Sequence, residues 1–325
     1  MKRILLLSLL LVTACKKTNV SIVEFESHHI QLNIDVKKHY ADLSDTGTMK
    51  VSKGWNLFTL NSSVEIHSFN VEGSKIEYQS FSSKDSTNVP VEFRHRLPQG
   101  NPHEVEQIIA FQSKTNTNKP FSISYSGEFY ENVEDVHFSN ENVGREVTAT
   151  ISDQGAYFSP SSSYYPMGNE SMANFKLTAN IPDNWESISD GNRLSNESKD
   201  GRKIQSWGNP YKNDGNMFMA APFVTKSTFV DDIEVACYFF EADTGLFDQY
   251  LPATVGYIRQ YSELIGPYPY KRFTVVENFF PTGYGMPAWT LLGQQVIRLP
   301  FIVFTSLGHE VLHNWWGNSV YVDYE

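Results

Sequence analysis

Cysteine is nearly missing from this sequence: its 325 residues contain two, Cys15 and Cys237. Cys15 lies in what reads as a leader, so one thiol remains in the body of the chain and no internal disulfide can brace it. The fold must stand on its core, and 40% hydrophobic residues over this length supply a large one, enough for about two domains. Cys237 sits in a strand-like run, residues 234–240, and reads as a buried structural side chain rather than a nucleophile. Positive charge is scarce as well: 26 Lys and Arg stand against 37 Asp and Glu, for a net charge of -11. No basic patch offers a surface to phosphates, so nucleic acid is excluded as a partner. Long apolar runs are also lacking. The best, residues 4–12, follows Lys2 and Arg3, is too short to span a bilayer comfortably and reads as a secretion signal.

That signal ends in Val12-Thr13-Ala14-Cys15, which resembles a bacterial lipobox, with small residues before the cysteine that takes the lipid. The alternative is an ordinary signal peptide with a cysteine there by chance. On the lipobox reading, residues 1–15 are a lipoprotein signal peptide, Cys15 is lipidated, and residues 16–27 form a tether. The expected location is the bacterial cell envelope, exported and lipid-anchored to a membrane.

Residues 28–229 read as short strands separated by turns. Residues 30–36 alternate strictly between apolar and polar, and residues 122–127 and 175–182 alternate likewise. Turn clusters such as Asp190-Gly191-Asn192 and Asn213-Asp214-Gly215-Asn216 punctuate them. With no long helical pattern, repeat or low-complexity block, the expectation is a mainly β N-terminal sandwich domain. The pattern changes after Phe229. Residues 230–240 and 273–277 read as strands and 288–297 as a further one. Residues 246–264 carry apolar side chains at helical spacing, with Pro252 predicting a kink or a late start. Residues 301–316 read as a helix closed by Gly317-Asn318. Residues 230–325 are thus expected to begin an α+β domain.

The chemistry concentrates in His309-Glu310-Val311-Leu312-His313. Residues four apart on a helix share a face, so His309 and His313 can present imidazole nitrogens to one Zn2+ ion. Glu310, beside the first histidine, is placed to activate the water that a bound zinc acidifies, and to pass the proton to a leaving amine. The structural alternative is a pair of partly buried helix histidines with ordinary hydrogen bonds. His103-Glu104 begins the same way but lacks the second histidine, and His28, His29, His39, His67, His95 and His137 show no ligand spacing. Tyr157, Tyr164 and Tyr165 flank a serine-rich stretch and read as loop packing, with the rim of a cleft as the other possibility. Trp315 and Trp316 read as core anchors.

The flanks carry a family resemblance. Gly308 to Val320, with an aromatic pair after the second histidine and then Gly317-Asn318, resembles the zinc helix of the M1 metallopeptidases. Gly266-Pro267-Tyr268-Pro269-Tyr270 is similar to a segment those enzymes carry before a sheet strand. The resemblance implies a thermolysin-like catalytic domain after the β-sandwich, Zn2+ as cofactor, and a peptide or protein substrate. It also implies a cleft-lining, substrate-binding strand at Gly283, Tyr284, Gly285 and Met286. Two departures stand out. The family's glutamate that grips a substrate's free amino end is replaced by Pro287, which puts strict aminopeptidase specificity in question; Glu277 is a conceivable substitute, though its strand context favours a structural or cleft-lining role. The third zinc ligand in the family is a glutamate about 18 residues past the second histidine, where catalytic zinc takes three protein ligands. Here 12 residues follow His313. The chain is therefore expected to be a fragment, inactive as it stands, of an M1-like zinc metallopeptidase. The runner-up is a non-catalytic, envelope-anchored binding or scaffold protein with a degenerate metallopeptidase domain. A third possibility is the same metal acting on a non-peptide bond.

Overall fold

The computed structural model describes residues 19–82, 89–94, 106–134, 138–139, 142–143, 147–169 and 172–320. Cys15 and the rest of the expected signal peptide, with His95, His103 and His137, lie outside the described residues, as does the stretch after Val320.

The alternation seen in the sequence is the alternation of a half-buried sheet. In the strand Glu24–Asp35, Ile30, Leu32 and Ile34 are buried, while Gln31 and Asn33 between them are exposed. That strand lies near the middle of an eight-stranded sheet, between Asn174–Pro182 and Tyr40–Val51. The inward faces of this sheet and of two four-stranded sheets share one hydrophobic core, with Phe58, Phe111, Ile151 and Phe158 facing Ile30 and Leu43 across it. This is the expected β-sandwich. Its start needs correction, because residues 20–27 are not a tether. Val20–Ile22 pairs in parallel with Gly54–Asn61, and Glu24–Asp35 is already a central strand. Val20, Val23 and Phe25 are buried, and their burial outweighs the polar composition that suggested a linker.

The second unit is built on a five-stranded sheet in the order Val224–Val230, Ile233–Phe239, Arg272–Asn278, Trp289–Gly293, Gly283–Met286. It begins at Val224 rather than Val230, because Val224–Val230 forms a hairpin with Ile233–Phe239. Its strands alternate between two cores. Val235, Cys237, Phe239, Phe273 and Val275 face the helices, whereas Ala236, Tyr238, Val276, Trp289 and Leu291 face the sandwich. Cys237 is fully buried as expected, and burial pushes its thiol pKa well up, which removes it as a nucleophile.

Three expectations for the second unit, two helices and one strand, shift. The helix Phe247–Leu264 runs through Pro252 and starts five residues before it, continuing a 3-10 turn at Glu241–Leu246. Residues 288–297 divide into the strand Trp289–Gly293 and the short helix Gln294–Ile297. The segment 301–316 also divides. Ile302–Phe304 is 3-10, Thr305 leaves helical geometry at φ -122 and ψ -82, and the α-helix proper is Ser306–Leu312 with His313 as its C-cap.

Candidate active site

Ser306–Leu312 is seated by its apolar face. Leu307 and Val311 are fully buried against Ile302, Val303 and the long helix Phe247–Leu264. Gly308 permits the close approach: a Cβ there would lie 2.8 Å from the ring of Tyr257 and 3.0 Å from the Tyr261 hydroxyl. With one face fixed, the opposite face carries His309 and His313 outward.

The two imidazoles converge. Their rings are 4.5 Å apart between centroids, and their Nε2 atoms are 3.0 Å apart. His313 Nδ1 faces the Trp316 carbonyl oxygen at 3.2 Å, an arrangement that places the hydrogen on Nδ1 and leaves the Nε2 lone pair directed at His309. Two imidazole nitrogens bound tetrahedrally to one zinc at about 2.0–2.1 Å stand roughly 3.4 Å apart, so the pair fits two positions of such a site. Among the described residues no third His, Cys, Asp or Glu joins them.

Glu310 and His313 both lie beside the sheet, at Gly285. Burial raises the Glu310 carboxyl above the ordinary value, while the charges of His313 and His309 act to lower it. Opposite it runs Gly283–Met286, the edge strand of the five-stranded sheet, bonded to Trp289–Gly293 on one side only. A Cβ on Gly285 would stand 2.6 Å from Glu310 Oε2 and 3.1 Å from His313 Cδ2. Without a side chain at 285 this strand lies along the motif helix and leaves the Glu310 carboxylate where it is. The structure therefore brings together Gly285, Glu310, His309 and His313. Tyr284 is half-buried and its carbonyl accepts from the Thr290 hydroxyl at 3.0 Å; Gly283 is exposed. Met286 departs from expectation. Its side chain is buried in the core shared with the sandwich, because alternation turns it away from the motif helix, so it supplies backbone and packing rather than a substrate contact.

Other candidates resolve by burial. Glu277 is fully buried, its Oε2 accepts from the Phe240 amide at 2.8 Å, and desolvation pushes its pKa up to about 8. It is a structural acid beside Asp243, which Arg298 clamps with two bonds of 2.8 and 2.6 Å. Tyr157, Tyr164 and Tyr165 are fully buried packing residues. Trp315 anchors the core as expected, whereas Trp316 is 51% exposed and anchors nothing there.

Two residues that organise the site escaped sequence reasoning. Asn314, next to His313, is fully buried and bonds the Ala288 amide at 2.8 Å through Oδ1. Asp190, visible in the sequence only as part of a turn cluster, accepts from Trp289 Nε1 at 2.9 Å, the Met217 amide at 3.1 Å and Asn213 Nδ2 at 3.3 Å. Burial pushes its pKa up to about 7, against those donors, which favour the carboxylate. The neighbouring Gly191 amide bonds the Pro287 carbonyl at 2.9 Å. The sandwich thus braces the turn beside the edge strand Gly283–Met286.

No protein-family description matches the sequence, and no curated protein matches it. Solved structures do. An M1 zinc metallopeptidase from Deinococcus radiodurans superposes with a TM-score of 0.66 at 13% identity, over 92% of this chain and 65% of that one. A two-domain mutant of an M1 zinc metallopeptidase bound to L-arginine gives 0.64 at 11% identity, over 92% and 66%. A mutant of the Deinococcus radiodurans enzyme bound to a Tyr-Ser-Ala substrate gives 0.64 at 12%, over the same shares. The chain spans about two thirds of the length of these structures and shares their fold.

Proposed function

We propose that this chain is the greater part of a zinc-dependent metallopeptidase of the M1 type, which hydrolyses peptide bonds. The observation that carries the reading is the geometry of one small region. Two imidazole Nε2 atoms stand 3.0 Å apart, and the carboxylate of the intervening Glu310 lies against the backbone of an edge strand at Gly285. His309 and His313 would hold the metal, with a third ligand from outside the described residues. Zinc, when bound, supplies the Lewis acidity that makes water acidic and a carbonyl electrophilic. The remaining work belongs to the protein. Gly283–Met286 stands at the edge of its sheet, paired with a neighbouring strand on one side only, and an extended peptide can add along such an edge. Glu310 accepts a proton from the attacking water at its carboxylate and returns it to the departing amine. Its partly buried setting, which raises its proton affinity, suits a group that must both take and give.

Pro287 stands where the family resemblance places an amine-gripping glutamate, and Glu277 is occupied inside the core. The proposed substrates are therefore peptides without a strict need for a free amino end. In the full-length protein, Glu310→Gln should retain zinc and lose hydrolysis by about 10²–10⁴-fold, on free and acetylated peptides alike. Undiminished activity in that variant would remove Glu310 as the base. One observation favours the non-catalytic alternative, namely that only two ligands are found among the described residues. Zinc at one equivalent in the full-length wild-type protein, with hydrolysis, decides against it.

The envelope location is proposed on the leader alone. Lipid on Cys15 would hold the mature protein at a membrane surface. Cys15→Ser should move the protein from the membrane to the soluble fraction on cell fractionation, and an unchanged distribution would count against the anchor.

A further inference from the structure

The turn beside the edge strand is strained and held from three sides. Met286 and Trp289 pair across the hairpin, which leaves Pro287 and Ala288 as its two-residue turn. Proline followed by a residue of positive φ is the signature of a type II turn, whose second central position calls for glycine. Here that position is Ala288, at φ 73 and fully buried. An alanine in the left-handed region carries a Cβ clash that glycine avoids, and such strain persists only where the surroundings over-determine it. Three hydrogen bonds do so: the Gly191 amide to the Pro287 carbonyl at 2.9 Å, the Thr274 amide to the Ala288 carbonyl at 3.0 Å, and the Ala288 amide to Asn314 Oδ1 at 2.8 Å.

The first two come from backbone in neighbouring strands and loops. The third comes from a side chain at the end of the motif helix, one residue past His313. Asn314 is itself locked. Its Oδ1 also faces the Tyr268 hydroxyl at 3.2 Å, while its Nδ2 donates to the Val311 carbonyl at 3.1 Å and reaches the Glu310 carbonyl at 3.4 Å. One amide therefore ties the helix that carries Glu310 to the turn that ends the strand carrying Gly285. Gly285 and Glu310 are so close that a single Cβ does not fit between them, so a small movement of either element alters the gap.

We propose that Asn314 is a positioning residue: by holding Ala288 in its left-handed conformation it sets how far Gly283–Met286 stands from Glu310 and His313. The structural part of this needs no chemistry, while its effect on hydrolysis rests on the peptidase reading above. Leucine at 314 has similar size and cannot accept a hydrogen bond; aspartate keeps the acceptor.

The test uses the full-length protein with N314L, N314D, A288G and the double variant N314L/A288G, followed by hydrogen exchange, zinc content and peptide hydrolysis. N314L is expected to speed exchange of the Ala288 amide and of the 283–286 segment at least tenfold. It should lower kcat at least tenfold while zinc stays at one equivalent. N314D should stay within about threefold of wild type in exchange. Glycine holds the left-handed turn unaided, so adding A288G to N314L should restore most of the lost kcat. Unaltered exchange in N314L, zinc loss in step with activity, or a double variant no better than N314L would each overturn the proposal. If N314L does not fold, recovery of a folded protein in the double variant supports it, and failure of both overturns it. A wild-type protein without peptidase activity would sink the peptidase reading and leave the exchange comparison to decide this one.

Discussion

Single atoms decide what the site tolerates. Gly285 is the sharpest case, because the missing Cβ is what allows the edge strand to lie beside Glu310, at a would-be separation of 2.6 Å from Oε2. The clash is with the far end of a flexible side chain, so the protein can yield by swinging the carboxylate. Gly285→Ala should therefore fold with a Tm within a few degrees of wild type and still lose about 10-fold or more in kcat/KM, since misplacing a catalytic group by about 1 Å costs up to 10²-fold. A large drop in Tm with activity retained would show that Gly285 serves the fold and not the base. The glycine was legible in the sequence as part of a Gly-Tyr-Gly stretch, but its neighbour was not, because 25 residues separate it from Glu310. Met286 illustrates the converse. Membership of the same motif suggested substrate contact, and strand alternation sent its side chain to the opposite face.

At the level of elements, the motif helix is short, Ser306–Leu312, and has no side-chain cap at its start. Fewer than two full turns do not form a stable helix alone, so its order comes from packing. Gly308 is the contact point with Tyr257 and Tyr261 of the long helix. Gly308→Ala would push a Cβ into an aromatic ring that is itself tied to the Val303 carbonyl by its hydroxyl at 3.1 Å. The expected cost is about 1–3 kcal/mol in urea denaturation, the usual range for overpacking, offset only in part by alanine's better helix propensity. A variant as stable as wild type would mean that the two helices are not packed this tightly. Helical periodicity revealed the i, i+4 histidines because that relation is local. It overextended the helix at both ends, because Thr305 departs from helical geometry without any proline or glycine to signal it.

Across the whole molecule, the two units share a buried acid. Asp190 belongs to the sandwich and bonds Trp289 of the second sheet, and burial pushes its pKa up to about 7. An acid whose folded pKa lies above its unfolded value stabilises the fold through its protonated form. That contribution is complete below about pH 4 and is lost as pH rises through about 7. Stability by chemical denaturation should fall between pH 5 and pH 8. Asp190→Asn should be less stable at pH 5, with a shallower slope, and an identical slope in both proteins would rule Asp190 out as its source. The sequence by itself determined what is written in short-range spacing. These are strands of period two, paired histidines of helical period, and a core that needs no disulfide. Tertiary structure alone decided which distant groups meet: Asp190 with Trp289, Ala288 with Asn314, Gly285 with Glu310. The reason is physical. Periodicity records which face of one element is buried, whereas a hydrogen bond or close approach between two elements depends on their relative placement, which no single segment encodes.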